Sequence, residues 1–502
     1  MFAEILEGLS LFLAWSNVIA IAIGVTVGVI VGAIPGLTAT MAVALALPFT
    51  FALEPVTGIL LLVGIYKGGV LGGSITAILI RAPGTPAAAC TAIDGYPMAQ
   101  RGEAGKALKG ALYASCIADF VSNLALIFFA GLLAQIALEF GAPEFLWLIA
   151  FSLTVVISIS GKSLLKGMTA ACLGVLISTI GLDLVYGTER LTFGNFNLMS
   201  GVSYIPLLIG LFAIPEVINY YVDQIPSQAK RGADATRMTL AEFKRCLKSI
   251  FRGSLIGVII GAIPGGGPTA AAFLSYGEAQ RTSPYRERFG RGEVEGVCAS
   301  EAGNNGVAGA TLIPLLALGI PGDVVTAVIL GAFMLQGLTP GPLLFQENIT
   351  LIYAIFCGIM LSSVLLFLAG SAAITSFARI ADVPKHMLFP VVLLFCVFGS
   401  YAVNNNMFDV LVMIVFGLVG FLMLRMDMSA APFLLGVILG PKFEDNLRRS
   451  FLIGDDWTIF VRGPICWIFI ALTLLSLYVG LRREWVAARK ARRRGRLEGA
   501  SA

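Results

Sequence analysis

Long apolar runs recur from one end of this chain to the other. They lie near 17–50, 56–82, 86–100, 110–138, 143–160, 164–186 and 203–222, then 253–277, 297–320, 323–341, 349–377, 384–402, 408–424, 429–441 and 464–480. A run of about 20 such residues is what a helix needs to cross hydrocarbon. Lipid offers the backbone no hydrogen-bond partner, so a spanning segment must satisfy its own N–H and C=O groups, as a helix does. With 57% hydrophobic and 13% charged residues over 502 positions, no polar stretch is long enough for a separate soluble domain. The pattern predicts an all-α polytopic membrane protein with roughly ten to twelve crossings.

Against that background, two interruptions stand out. Gly28-Val29-Ile30-Val31-Gly32-Ala33-Ile34-Pro35-Gly36 returns as Gly257-Val258-Ile259-Ile260-Gly261-Ala262-Ile263-Pro264-Gly265, changed only at Val31/Ile260 and extended by Gly266-Gly267-Pro268. Proline lacks the N–H and clashes with the preceding turn, and glycine permits the change of direction. One such break alone reads as a kink or a tight turn. Two, one per half, point to a binding site built from discontinuous helices.

The halves align beyond these motifs. Gly69–Ser74 pairs with Gly306–Thr311, Pro83-Gly84 with Pro321-Gly322, Pro143 with Pro384, and Pro206–Pro215 with Pro432–Pro441. Cytoplasmic loops carry the excess of Lys and Arg. The loop 101–109 holds Arg101, Lys106 and Lys109, whereas its partner 337–348 holds only Glu347. Glu139 and Glu144 face Arg379, Lys385 and His386, and Lys162 and Lys166 face Asn404–Asn406. The bias flips at each pair, so the two repeats are expected to have inverted topology, with broken or re-entrant helices and an extra C-terminal transmembrane helix. The N-terminus then lies outside and the basic tail inside. The expected organisation is an interfacial amphipathic helix over 1–16, a first transmembrane repeat over 17–227 and a basic cytoplasmic connection over 228–252. A second repeat over 253–462 and a last helix with its tail over 463–502 complete it.

Arg281, Arg286, Arg288 and Arg291 return the chain to the inner side after 253–277. That segment is therefore expected to enter and turn back near Pro264-Gly265-Gly266-Gly267. Its counterpart enters from the opposite face and turns at Pro35-Gly36. A second break follows each: Arg81-Ala82-Pro83-Gly84-Thr85-Pro86 and Leu318-Gly319-Ile320-Pro321-Gly322-Asp323. A helix restarting after a break presents free N–H groups, which suit a carboxylate. Lys67 and the hydroxyls of Thr38, Ser74, Thr85 and Thr269 are candidates to join them, with Gly84 and Gly266 shaping the turns. Lys67 stands mid-run, where a cation needs an anion, a carboxylate or water as partner. Glu301, Asn304 and Asn305 share one helix face. With Asp323 they are candidates for a coupling ion, either Na+ or a proton carried by Glu301. Asp94-Gly95-Tyr96-Pro97 reads as a turn. No Cys-x-x-Cys pair occurs among the eight cysteines, and the single histidine, His386, excludes a His-based zinc site. No cofactor beyond the coupling ion and no nucleic-acid partner is expected.

The doubled Gly-Ala-Ile-Pro-Gly motif, the stretch from Gly69 through Pro83-Gly84-Thr85-Pro86 to Asp94-Gly95-Tyr96-Pro97, and Glu301-Ala-Gly-Asn-Asn-Gly306 resemble the large membrane (TctA-type) subunit of the bacterial tripartite tricarboxylate transporters. The resemblance covers nearly the whole chain. It implies a multi-pass permease of the cytoplasmic (inner) membrane, working with a small membrane subunit and a periplasmic solute-binding protein. It also implies uptake of tricarboxylates or related organic carboxylates driven by an ion gradient. The rivals are an intramembrane enzyme of Ser/Lys type built on Lys67 and a passive anion channel.

Overall fold

The computed structural model describes residues 2–160, 163–183, 185–223, 236–381, 385–454 and 456–499. Lys162, Pro384 and the start of the basic connection lie outside these, as do the side chains of Arg379, Lys385 and His386.

The first half runs through α1 (Phe2–Phe12), α2 (Trp15–Gly32), α3 (Ala39–Ala46), α4 (Pro55–Ile80), α5 (Ala88–Gln100), α6 (Ala104–Ala137), α7 (Ala142–Ser160) and α8 (Leu164–Ser178). A short antiparallel ribbon, β1 (Gly181–Leu182) with β2 (Glu189–Arg190), leads to α9 (Tyr204–Asp223). The second half comprises α10 (Leu240–Ala262), α11 (Gly267–Thr282), α12 (Val294–Ala310), α13 (Leu312–Leu318), α14 (Val324–Leu335), α15 (Leu344–Glu347), α16 (Ile349–Ala381), α17 (Lys385–Asn404), α18 (Met407–Arg425), α19 (Ala430–Ile453) and α20 (Pro464–Gly499). Among the described residues, nine of these helices are long and apolar enough to cross a membrane: α2, α4, α6, α7, α9, α16, α17, α18 and α20. The chain is an all-α polytopic membrane protein. It divides into two compact units, Met1–Leu138 with Ser203–Phe421 and Glu139–Val202 with Leu422–Ala502.

In the first unit, α2 and α4 run parallel in backbone contact. A Cβ on Gly28 would fall on the Ile65 carbonyl oxygen, and one on Gly68 on that of Val25. Small residues at four-residue spacing let helices approach this closely. The chain connects two parallel helices by turning back between them. α2 stops at Gly32, the backbone bends through Pro35 and Gly36 (φ 88°), and α3 returns with Thr38 as its N-cap. Ala39 then meets Gly69, and Thr50 meets Gly58, so the returning segment runs antiparallel to α4. The second half repeats the device. α10 and α12 run parallel through Gly253, Gly257 and Gly261, and α11 returns between them, Ala271 and Ser275 lying against Gly303.

Helices at matching positions of the two halves also pack alike. Gly174 of α8 meets the Phe433 carbonyl of α19, within the second unit, as Gly210 of α9 meets the Met413 carbonyl of α18, within the first. The second unit carries the ribbon as well, and there Arg448 and Arg190 clasp Asp183 and Glu444.

Several boundaries differ from the sequence expectation. α10 begins at Leu240, inside the expected basic connection, because a Thr239/Glu242 capping box starts a helix there. Hydropathy reads Lys244, Arg245, Lys248 and Arg252 as a loop, yet Arg245 is absorbed by Glu293 at 2.5 Å. α1 ends at Phe12 and packs on α16, with Gly8 against Tyr353. Asp94-Gly95-Tyr96-Pro97 is no turn but the interior of α5, whose burial against α4 and α12 overrides the local turn signal.

Candidate functional site

The breaks are where backbone amides lose their helical partners, and in each half the two breaks meet. Gly84 packs directly on Gly73 and the Gly32 carbonyl, so a Cβ there would stand 2.8 Å from Gly73 Cα and from that oxygen. The Gly84 N–H donates to the Gly73 carbonyl at 3.3 Å. In the second half, the Gly265 N–H donates to the Gly322 carbonyl at 2.8 Å. Gly36, Gly265, Gly267 and Gly319 all have positive φ, the conformation that glycine adopts without strain.

Four helices restart after these breaks. Each begins with a polar or glycine residue at the turn. Thr38 Oγ1 accepts from Met41 N (3.1 Å), Thr85 Oγ1 from Ala88 N (3.3 Å), and Asp323 Oδ1 from Thr326 N (2.7 Å), while Gly266 opens α11. The restarted helices pair across the halves: α3 packs against α14, and α5 against α11. Cys90 lies 3.6 Å from the Ala272 carbonyl and Tyr276 bonds Asp94, so α5 and α11 run side by side from neighbouring breaks. Thr269 lies in the first turn of α11, half-buried. Of the residues expected to shape a carboxylate site, Pro35 and Thr85 are half-buried, Gly36 is exposed, and Gly265 and Gly266 are buried.

Beneath the breaks, α4 and α12 carry polar side chains in full burial. Lys67 is 0% exposed. Its Nζ sits 2.9 Å from Asp119 Oδ1 and donates to Asn123 Oδ1 at 2.6 Å. Asn123 also donates to Ser363 and to the Ile359 carbonyl, and Ser363 donates to Asp119 at 2.7 Å. The partner that a cation at this depth requires is therefore a carboxylate of α6. Next to Lys67, Tyr66 donates to Asp323 Oδ2 at 2.6 Å, which ties α4 to the restart of α14.

Glu301, on α12, is equally buried. Its Oε1 contacts Thr91 of α5. Its Oε2 is bonded by Ser115 of α6 (3.1 Å) and by Asn305 (3.1 Å). Asn304 and Ser74 are buried too; the Asn304 amide has no hydrogen-bond partner, and the Ser74 hydroxyl lies beside the Glu301 carboxyl. Buried polar groups are almost always bonded, so the Asn304 amide is an exception inside the bundle. Because Ser115, Asp119 and Asn123 recur every four residues, one face of α6 joins the Lys67 and Glu301 clusters.

The sequence expectation missed Asp119, Asn123, Ser115 and Thr91. The one acid of a 34-residue helix, set in its apolar middle with polar residues four before and four after it, was a usable signal. A surface cavity of about 850 Å³ lies at the other end of α5 and α12, lined by Arg101, Lys106, Glu242, Arg245, Glu287 and Arg288 among others. There Arg101 donates to the Arg291 carbonyl at 2.7 Å, and Asp94 accepts from the N–H groups of Gly292 and Glu293.

The sequence model of the family described as Tripartite tricarboxylate transporter TctA family matches residues 18–435. The chain is similar to an uncharacterized 52.8 kDa protein in the TAR-I ttuC' 3' region of Agrobacterium vitis, with 40% identity over 445 residues, 88% of each chain. It is similar as well to an uncharacterized protein in the TAR-II ttuC' 3' region of the same organism, with 39% identity over 226 residues, 45% of this chain and 93% of that one. No solved structure matches it.

Proposed function

Since the chain belongs to the tripartite tricarboxylate transporter TctA family, we propose that it is the permease subunit of a secondary transporter for tricarboxylates or related organic carboxylates. The gradient of an ion drives uptake through the bacterial inner membrane. A small membrane subunit accompanies the permease, and a periplasmic solute-binding protein delivers the substrate. The observation that carries this reading is the gathering of four restarted helices at paired breaks above a buried polar core. Each restarted helix presents the partial positive end of its dipole, which favours a carboxylate without committing a mobile cation.

In this reading Pro35, Gly36, Gly84, Gly265, Gly266 and Gly267 shape the breaks. Thr38, Ser74, Thr85 and Thr269 supply hydroxyls. Lys67 sets the positive potential of the site while Asp119 holds it in place. Glu301, Asn304, Asn305 and Asp323 serve the coupling ion. The two repeats enter from opposite faces, so that one arrangement opens outward and its mirror opens inward. A Ser/Lys enzyme would need the Lys67 amine as a base on a serine, whereas that amine is engaged by Asp119 and Asn123.

Counterflow tests the reading. Proteoliposomes holding the large and small subunits, preloaded with unlabelled citrate, are expected to accumulate labelled citrate transiently when the binding protein is present outside. A channel gives only equilibration, and an enzyme gives a chemically altered product.

A further inference from the structure

Resting on the transport reading, we propose that the coupling ion is a proton, held on Oε1 of Glu301 as the carboxylic acid and donated to the Thr91 hydroxyl oxygen.

Counting hydrogens places the proton. Each hydroxyl donates one. Ser300 Oγ spends its hydrogen on the Val297 carbonyl, at 3.0 Å, since a carbonyl only accepts. With the Ser300 hydrogen on that carbonyl, the bond of 3.0 Å between Thr91 Oγ1 and Ser300 Oγ uses the hydrogen of Thr91. Thr91 then has none left for its contact with Glu301 Oε1. In this arrangement the hydrogen of that contact comes from the acid, the reverse of a Thr91 hydroxyl donating to a carboxylate.

The other oxygen obeys the same bookkeeping. Asn305 Nδ2 donates to Ser115 Oγ at 2.8 Å, which frees the Ser115 hydrogen for Glu301 Oε2, and Asn305 Nδ2 also reaches that oxygen. Oε2 is an acceptor and Oε1 a donor, as in a neutral carboxylic acid.

Nothing nearby stabilises the anion by charge. On α6 the ionisable groups beside Ser115 are the Cys116 thiol and Asp119, one turn on and matched to Lys67 of α4. On α5 they are the Cys90 thiol and Asp94, which is bonded to Tyr276 of α11 and to backbone N–H groups. On α12 itself, Glu295 bonds Ser249 of α10 and Ser283. Of the cations of α10, Arg245 pairs with Glu293 at the start of α12 and Arg252 faces Glu278 of α11, and α13 has no ionisable residue. Ser74 of α4 stands beside the Glu301 carboxyl, a second hydroxyl oxygen able to take the proton.

Release breaks one O–H bond. Glu301 becomes a carboxylate and its proton passes to water once the site opens. Oε1 then accepts, Thr91 turns its hydrogen from Ser300 to Glu301, and the α5–α12 bond is exchanged. Because α5 restarts from the Arg81–Pro86 break, proton occupancy bears directly on where that helix sits.

Infrared difference spectroscopy on the reconstituted large and small subunits, stepped from neutral to alkaline pH, tests this without a substrate. The expected result is a carboxylic C=O band at neutral pH that disappears in alkali and is absent in Glu301→Gln. In Thr91→Val, which removes the acceptor, the band moves to higher frequency. A neutral-pH spectrum with no band sensitive to either substitution overturns the proposal, as does a band that appears only when Na+ is withdrawn. If the band behaves as expected while citrate counterflow fails, the transport reading falls and the protonated Glu301 stands.

Discussion

Lys67 Nζ stands 2.9 Å from Asp119 Oδ1, both side chains being almost completely buried, so α4 and α6 are fastened by an ion pair inside the bundle. Removing one partner leaves an uncompensated buried charge, which is strongly destabilising, about 3–5 kcal/mol. Asp119→Ala is expected to lose about that much, whereas Lys67→Met combined with Asp119→Leu recovers most of it. Denaturant unfolding of the purified protein measures both. Equal losses in the single and the double variant would show that the pair does not hold the helices.

The close approach of α2 to α4 depends on glycine at a point where no side chain fits. Gly28→Ala places a methyl on the Ile65 carbonyl oxygen. Forcing extra volume into a packed interface costs typically about 1–3 kcal/mol. Gly277→Ala, in α11 with nothing within 4 Å of the new Cβ, is expected instead to be neutral or to gain up to about 1 kcal/mol of helix propensity. The melting temperature of Gly28→Ala should fall below the parent value, and that of Gly277→Ala should equal or exceed it.

The charged cluster at the start of α10 gives a pH dependence. Burial pushes the Glu242 carboxyl up, but the Thr239 N–H and the Lys106 amine at 2.9 Å bring it down to about 2. A depressed carboxyl stabilises the fold above its ordinary range, and that contribution is lost as pH falls from about 4.5 toward about 2. Thermal unfolding followed across this interval should show a steeper acid decline in the parent than in Glu242→Gln.

Coupling gives a fourth expectation. With Glu301→Gln the carboxyl can no longer exchange a proton, so citrate accumulation driven by an imposed pH gradient should disappear. Uptake assays in proteoliposomes read this directly, and undiminished pH-driven accumulation would remove Glu301 from the coupling role.

Much of this architecture was legible in the sequence because it rests on local rules. Pro35-Gly36 and Pro264-Gly265 interrupt helices wherever they occur, and the returns at α3 and α11 follow from that. Lys67 and Glu301 were conspicuous because charge is rare in apolar surroundings. Their partners were harder to see, since Asp119 and Thr91 are joined to them only by the way distant helices pack. α12 holds Glu301, Asn304 and Asn305 in complete burial and is not among the nine helices apolar enough to cross lipid. Neighbouring protein shelters it, and hydropathy cannot distinguish that shelter from water. The α5 turn signal failed for the same reason, as Asp94 is satisfied by Tyr276 and by the N–H groups of Gly292 and Glu293.

The central claim is that the two halves are mirrored across the bilayer, so that their breaks face each other around one carboxylate. Single cysteines at Gln100 and Gln346, in a background where the native cysteines are replaced, test it by labelling with an impermeant maleimide in intact cells and in inverted vesicles. The account predicts that Gln100→Cys reacts only in inverted vesicles and Gln346→Cys only in intact cells. Labelling of both from the same side would contradict it.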